Sequence, residues 1–218
     1  NPDLVISYTI KPNLYGSIIC KLFKIKNISN VFGLGFLYFS SSKIVNLLFN
    51  IILKIIVSFS YKTFIQNIED KRILSKFTDI NNLVLINGSG INVNYYKKKI
   101  NKETIKYDYT YIGRIIKDKG LDEFIEAAIE INKNYPKLKF CIQGEIYSKR
   151  KDRSININLL NYAIEKKIIT LLKYGEALKT INESKWIVLP SYREGSSKIL
   201  QESISMGTPC LASDVPGC

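Results

Sequence analysis

Tyr107-Asp108-Tyr109-Thr110-Tyr111-Ile112-Gly113-Arg114-Ile115-Ile116-Lys117-Asp118-Lys119-Gly120-Leu121-Asp122-Glu123-Phe124-Ile125 is the stretch on which the fold turns. Its first six residues are aromatic and β-branched enough for a strand, and Gly113 to Gly120 make a loop with a glycine at each end. Leu121, Phe124, Ile125, Ala128 and Ile131 then recur at helical spacing, with Asp122 and Glu123 placed where a helix N-terminus favours negative charge. Strand, loop and helix in that order predict a parallel α/β unit.

The pattern continues downstream. Leu138 to Ile142 reads as a strand ending at Gly144, and a helix fits around 155–166. A strand near 169–172 and a short helix near 177–183 follow. Trp186 to Leu189 is a strand stopped by Pro190, and Ile199, Leu200, Ser203 and Ile204 form a helical face. Cys210 to Ala212 is the last strand.

Upstream, a second alternation precedes it. Leu4 to Tyr8 is a strand, and Leu14, Tyr15, Ile18, Ile19, Leu22 and Phe23 recur at helical spacing. Ile28 to Phe32 is a strand closed by Gly33-Leu34-Gly35, Thr63 to Ile65 another, Ile68 to Phe77 a short helix and Leu83 to Ile86 a fourth strand. Residues 43–59 are the most apolar run, but Asn46, Asn50, Lys54 and Ser58 recur every fourth residue and form one polar stripe along a helix. The run is shorter than the ~20 apolar residues of a bilayer span. It reads as a helix buried against a sheet; the alternative is a helix dipping into a membrane surface. The organisation expected is α/β, with residues 1–92 as one Rossmann-like parallel-sheet domain, 93–106 as a linker and 107–218 as a second. Both domains read as truncated: the chain starts Asn1-Pro2-Asp3 and stops at a Pro216-Gly217-Cys218 turn signal.

With 218 residues and 46% apolar side chains the chain has material for a real core, which excludes a disordered protein. Its formal charge is +13, unevenly spread: residues 1–100 carry 13 basic and 4 acidic side chains, residues 101–218 carry 19 and 15. Such an excess points to an anionic partner, whether nucleic acid, a membrane surface or a phosphorylated substrate. It also fits a compositional bias, because Lys outnumbers Arg by 27 to 5. The sequence holds no His, so triads and metal sites built on imidazole are excluded. It has no Asp-x-Asp pair to clamp a nucleotide-bound metal, and Cys20, Cys141, Cys210 and Cys218 lack zinc or disulfide-framework spacing. The chemistry available is that of carboxylates, cations and backbone amides.

Ligands of such sheets bind at the carboxyl ends of the strands, so the loops leaving them are the candidates. In Gly113–Gly120, Arg114 and Lys119 suit a diphosphate, one as a planar fork and the other as a point charge. The alternative is an ordinary loop in a Lys-rich protein, against which stands the scarcity of Arg. In Ser191-Tyr192-Arg193-Glu194-Gly195-Ser196-Ser197-Lys198, Glu194 lies in the loop and Glu202 about two turns into the helix that follows. Gly195, Ser196 and Ser197 would present amides at a helix N-terminus to a phosphate. Either Ser196 or Ser197 is also simply a good N-cap.

Taken together these loops resemble the nucleotide-binding half of retaining glycosyltransferases of the GT-B fold, family 4. Tyr111-Ile112-Gly113-Arg114 with Lys119-Gly120 is similar to that family's diphosphate loop. Val188-Leu189-Pro190-Ser191-Tyr192-Arg193-Glu194-Gly195 with Glu202 is similar to its two-glutamate motif. Gly207-Thr208-Pro209 and Ser213 to Cys218 are similar to the segment beyond. The first half resembles the branch that extends lipid-linked oligosaccharides and capsule or O-antigen repeats, which includes an N-acetylgalactosaminyltransferase acting on bacillosaminyl-diphosphoundecaprenol. The residues concerned are Tyr8 to Gly16, Gly33-Leu34-Gly35, Phe64-Ile65-Gln66-Asn67 and Gly88 to Asn92. The chain departs from the family at Ser197-Lys198 (usually Pro-Arg), Gln201, Lys173, Lys185 and Phe32.

The resemblance implies transfer of a sugar, an N-acetylhexosamine being one candidate, from a UDP-sugar to an undecaprenyl-diphosphate-linked glycan, with retention of configuration. Arg114 and Lys119 would bind the donor diphosphate in place of a metal, so that no cofactor is expected. Glu194 would contact donor-sugar hydroxyls and Glu202 the ribose, while the amides of Gly195, Ser196 and Ser197 hold the distal phosphate. Lys11 would meet the acceptor diphosphate. The partners implied are the UDP-sugar, the lipid-linked acceptor and the cytoplasmic face of a bacterial membrane, not nucleic acid. Two other readings stand beside it: an inactive remnant that still binds nucleotide, and a basic nucleic-acid-binding protein, against which there is no RNA-binding or helix-turn-helix signature.

Overall fold

The computed structural model describes residues 2–34, 42–97, 105–146 and 154–218. Gly35, Lys98 and Lys99, and part of the 93–106 stretch, lie outside them. Contacts divide the chain into two units. The first comprises 1–89 with Arg193–Ser196 and Gly217; the second comprises Gly90–Tyr192 with Ser197–Pro216 and Cys218.

The first unit alternates β1 (Leu4–Tyr8), α1 (Ile10–Leu22), β2 (Lys26–Val31), α2 (Lys43–Phe59), β3 (Lys62–Ile65), α3 (Ile68–Leu74) and β4 (Leu83–Leu85). The strands pair in chain order, β1-β2-β3-β4, and every pairing is parallel. Val31, Leu34, Phe49, Leu53, Ile56, Val57, Ile65, Leu74 and Leu83 form the core. Ser42 caps α2 and Asn67 caps α3, each accepting the N–H of the residue three positions on.

Two helices of this unit turn differently from what their apolar spacing predicts. On α1 the buried residues are Asn13, Ser17 and Cys20, while Tyr15, Ile19, Leu22 and Phe23, at the end of the helix, are exposed. The reason is close approach. The face with Asn13, Gly16 and Ser17 sits directly on the strands: Asn13 Nδ2 donates to the Asn30 carbonyl at 2.8 Å, and Asn30 Nδ2 to the Ser7 carbonyl at 3.0 Å. On α2 the buried face is Phe49, Leu53, Ile56 and Val57, whereas Ile44, Leu47, Leu48 and Ile51 face outward. The helix is therefore packed on one side and apolar on both, and the polar stripe is split: Asn46 and Asn50 are half-buried, Lys54 and Ser58 exposed. No helix among the described residues is long and apolar enough to cross a membrane.

The second unit contains β5 (Tyr107–Ile112), α4 (Leu121–Asn134), β6 (Phe140–Gln143), α5 (Ile157–Glu165), β7 (Ile169–Leu172), α6 (Ala177–Asn182), β8 (Ser184–Leu189), α7 (Lys198–Ser205) and β9 (Cys210–Ala212). All pairings are parallel, in the order β7-β6-β5-β8-β9. The chain builds outward from β5 to one side, then returns to its other side with β8. The α/β, two-sheet architecture expected from sequence is thus present, with element ends either as read or shifted by up to three residues.

Here the helices follow their periodicity. Leu121, Phe124, Ile125 and Ala128 of α4 are buried in a cluster with Tyr111, Phe140, Ile142 and Leu160. Two assigned positions miss: Ile131 is at the edge of exposure (36%) and Ile204 of α7 points outward (68%). Leu200 and Ser203 carry the inner face of α7, with Ile199 packed partly against the core.

Candidate functional site

In an open parallel sheet the crevice opens where the strand order reverses, because the loops leaving the two central strands diverge to opposite faces. In the second unit that point lies between β5 and β8. The loop leaving β5 is Gly113–Gly120, and the loop leaving β8 begins at Pro190. The two loops singled out from sequence are therefore the pair that flanks the switch point.

They also touch. The Tyr192 N–H donates to the Asp118 carbonyl at 3.1 Å. Gly120 ends the first loop in the left-handed region (φ 68°), and a Cβ added there would overlap the Pro190 carbonyl. Only glycine meets both demands, conformational and steric. The Tyr192 hydroxyl donates to Glu123 in the first turn of α4, and this bond, more than burial, pushes the tyrosine pKa up to about 12.

The first loop is pinned from below. Gly113 N–H bonds the Gln143 carbonyl and Ile115 N–H the Glu145 carbonyl, each at 3.0 Å, so the loop extends the β5–β6 pairing past the strand ends. The fully buried Tyr111 donates its hydroxyl to the Arg114 carbonyl at 2.7 Å. Arg114 itself is exposed, and Lys119 is half-buried in the turn before α4. The loop backbone is thus held in place, and the two cations it carries suit a polyanion.

The second loop leads into α7. Ser197 is its N-cap, accepting the Leu200 N–H at 3.5 Å, which decides between the two serines proposed for that role. Glu202 is buried, 7% exposed. The Tyr96 hydroxyl is hydrogen-bonded to it; burial first and this bond second push Tyr96 up to about 12. The Tyr96 carbonyl also accepts from Ser205 Oγ at 3.1 Å, so one residue of the 90–97 stretch grips α7 twice. No sequence signal marked Tyr96.

By unit, Arg114, Lys119, Ser197 and Glu202 belong to the second, and Lys11, Glu194, Gly195 and Ser196 to the first. Lys11 is exposed in the first turn of α1, and Glu194, Gly195 and Ser196 are half-buried. Among the departures from the resembled family, Lys185 pairs with Asp108 at 3.9 Å, and Phe32 packs edge-on to Tyr8 with ring centroids 6.0 Å apart.

Comparison with known proteins places these features. The family model described as Glycosyl transferases group 1 matches residues 92–218, more than half the chain. The capsular polysaccharide biosynthesis glycosyltransferase CapM of Staphylococcus aureus is 25% identical over 165 residues, which is 70% of this chain and 42% of that protein. Among solved structures, Anabaena Alr3699/HepE in complex with UDP and glucose superposes with a TM-score of 0.81 at 14% identity, covering 99% of this chain and 60% of HepE. The pneumococcal O-GlcNAc transferase GtfA, in complex with UDP and GlcNAc, gives 0.70 at 17% identity, covering 98% and 42%. The chain thus spans roughly 40 to 60% of the length of these relatives. At such low identity the superpositions establish the shared architecture of two parallel-sheet units, and the family match adds the lineage: the chain belongs to the group 1 glycosyl transferases.

Proposed function

We propose that this chain carries the donor site of a glycosyltransferase that moves a sugar from a UDP-sugar to an undecaprenyl-diphosphate-linked glycan with retention of configuration. The observation that carries the reading is the junction of the Gly113–Gly120 and Pro190–Ser197 loops at the β5/β8 switch point. Structures of similar fold solved with UDP and glucose, and with UDP and GlcNAc, support the donor class.

On this reading residues 107–218 form the nucleotide-sugar domain, 1–92 the acceptor-side domain and 93–106 the connection. As the bond from the anomeric carbon to UDP breaks, negative charge grows on the diphosphate. Arg114 and Lys119 are the cations that stabilise it, and no divalent metal is needed. Amides of Gly195 to Ser197 at the start of α7 hold the distal phosphate. Glu194 accepts hydrogen bonds from donor-sugar hydroxyls, and Glu202 from the ribose. Tyr96, already bonded to Glu202, fixes which carboxylate oxygen remains for the nucleoside. Lys11 contacts the acceptor diphosphate.

The first unit also has the makings of a membrane-facing side. Leu22, Phe23, Ile44, Leu47 and Leu48 are all more than half exposed, on helices α1 and α2, which pack together. The only acidic residue among positions 1–62 is Asp3, against seven lysines. Apolar groups with a basic surround suit the interface of an anionic bilayer, where each lysine contributes about 1 kcal/mol. The enzyme would then work on the cytoplasmic face of a bacterial membrane, where its lipid-linked acceptor is found.

The test uses the full-length protein. UDP release should require the lipid-linked acceptor and persist in EDTA, and Glu194→Gln should abolish transfer. Undiminished turnover by that variant, or strict dependence on a divalent metal, would refute the roles assigned.

A further inference from the structure

Glu194 is flanked by two residues that are tied to one small polar cluster in the first unit. Asn67 caps α3 by accepting the Asp70 N–H on its Oδ1 at 2.8 Å. Its Nδ2 donates twice, to Asp70 Oδ2 at 3.0 Å and to the Gly195 carbonyl at 3.2 Å. Asp70 is completely buried, and its Oδ1 receives the Arg193 guanidinium in an ion pair. The residue before Glu194 and the residue after it are thus bound to the same Asn67–Asp70 pair.

Packing closes what the hydrogen bonds leave. A Cβ on Gly195 would come within 3.0 Å of the Phe32 carbonyl and of Gln66 Oε1. A Cβ on Gly217, which sits at φ 82°, would overlap the Glu194 carbonyl. The backbone at 194–195 is therefore enclosed on several sides. The buried ion pair fixes where Arg193 lies.

We infer that Asp70 and Asn67 are positioning residues for Glu194: they hold Arg193 and Gly195 so that the intervening carboxylate meets the donor sugar at a fixed place. The inference rests on the reading of Glu194 as a donor-sugar contact. It follows from the cost of imprecision, since a displacement of about 1 Å in a reacting group lowers rates on the order of a hundredfold. Asp70 and Asn67 touch no substrate on this account; they act through the loop.

Asp70→Asn, of equal size but without the charge, tests this in the full-length protein. The expected result is a fall in kcat of tenfold or more, with donor KM and UDP affinity within twofold of the parent. A second readout does not depend on turnover: trypsin cleaves after arginine, so release of Arg193 from Asp70 should speed cleavage of the Arg193–Glu194 bond at least tenfold, with cleavage after Lys166 unchanged. A folded Asp70→Asn protein with kcat within twofold of the parent overturns the inference. So does a kcat loss matched by loss of UDP affinity, or an unchanged rate of cleavage at Arg193. Should the parent transfer no sugar and Glu194→Gln alter nothing, the proposed function fails, while the tryptic rate still decides whether Asp70 holds the loop.

Discussion

Helix α4 and helices α1 and α2 are both covers on parallel sheets, yet they obey opposite rules. In α4 the apolar positions face the sheet, and the acidic and polar ones face water. In α1 the inward positions are Asn13, Ser17 and Cys20, while Tyr15, Ile19 and Leu22 face out; in α2 apolar residues lie on both sides. The edge strand β1 follows α1, with Ser7 inside and Leu4, Ile6 and Tyr8 exposed. Burial of apolar surface stabilises a fold wherever the buried residues sit, so the outward set in the first unit adds nothing to its internal stability. In the second unit apolar period and burial coincide; in the first they part.

The largest effect that would break this comparison lies in the two cores. Leu53→Ala in α2 and Ile125→Ala in α4 each remove a fully buried side chain, and each should cost about 2–5 kcal/mol in chemical denaturation. If Leu53→Ala is nearly silent, α2 is not the cover described. Smaller in stability but decisive for the contrast is the outer face. Leu22→Ser, Ile44→Ser and Leu47→Ser should each change stability by less than about 0.5 kcal/mol. Combined, they should weaken binding to phosphatidylglycerol vesicles by about tenfold or more, read by flotation. Equal flotation by the triple variant would leave the apolar face without its proposed role.

The smallest effect is a pH dependence belonging to the second unit. Tyr96 has its pKa raised from 10.0 to about 12, so its neutral form is favoured in the fold. That contribution is complete below pH 10 and is lost as pH rises toward 12. Thermal melts of the parent should therefore fall more steeply than those of Tyr96→Phe over that window, and parallel curves would remove the Tyr96–Glu202 bond from the account.

Some of this was legible in advance and some was not. Alternation of short apolar strands with helical periods announced two parallel sheets, and glycines at 113 and 120 bounded a loop whose ends the structure fixes. A cap at Ser196 or Ser197 was legible by residue type, and the structure chose Ser197; the Asn67 cap was not read. The facing of α1 was not legible, because periodicity finds the apolar stripe and assumes that it turns inward; Asn13, bonded to the Asn30 carbonyl, and Gly16, against the Ser7 side chain, overruled it. The Asn-x-x-Asp spacing of 67 and 70 was a usable capping signal, but nothing local tied it to Arg193.

What the chain alone determined is what depends on neighbours in sequence: strand and helix periods, caps, the charges available and the absence of imidazole. Tertiary structure decided which stripe of each helix faces inward, that Gly120 meets Pro190, and that Asp70 pairs with a residue 123 positions away. These rest on contacts between segments distant along the chain, whose energies depend on approach distance and on which polar groups are left to pair, and neither quantity is written in local spacing.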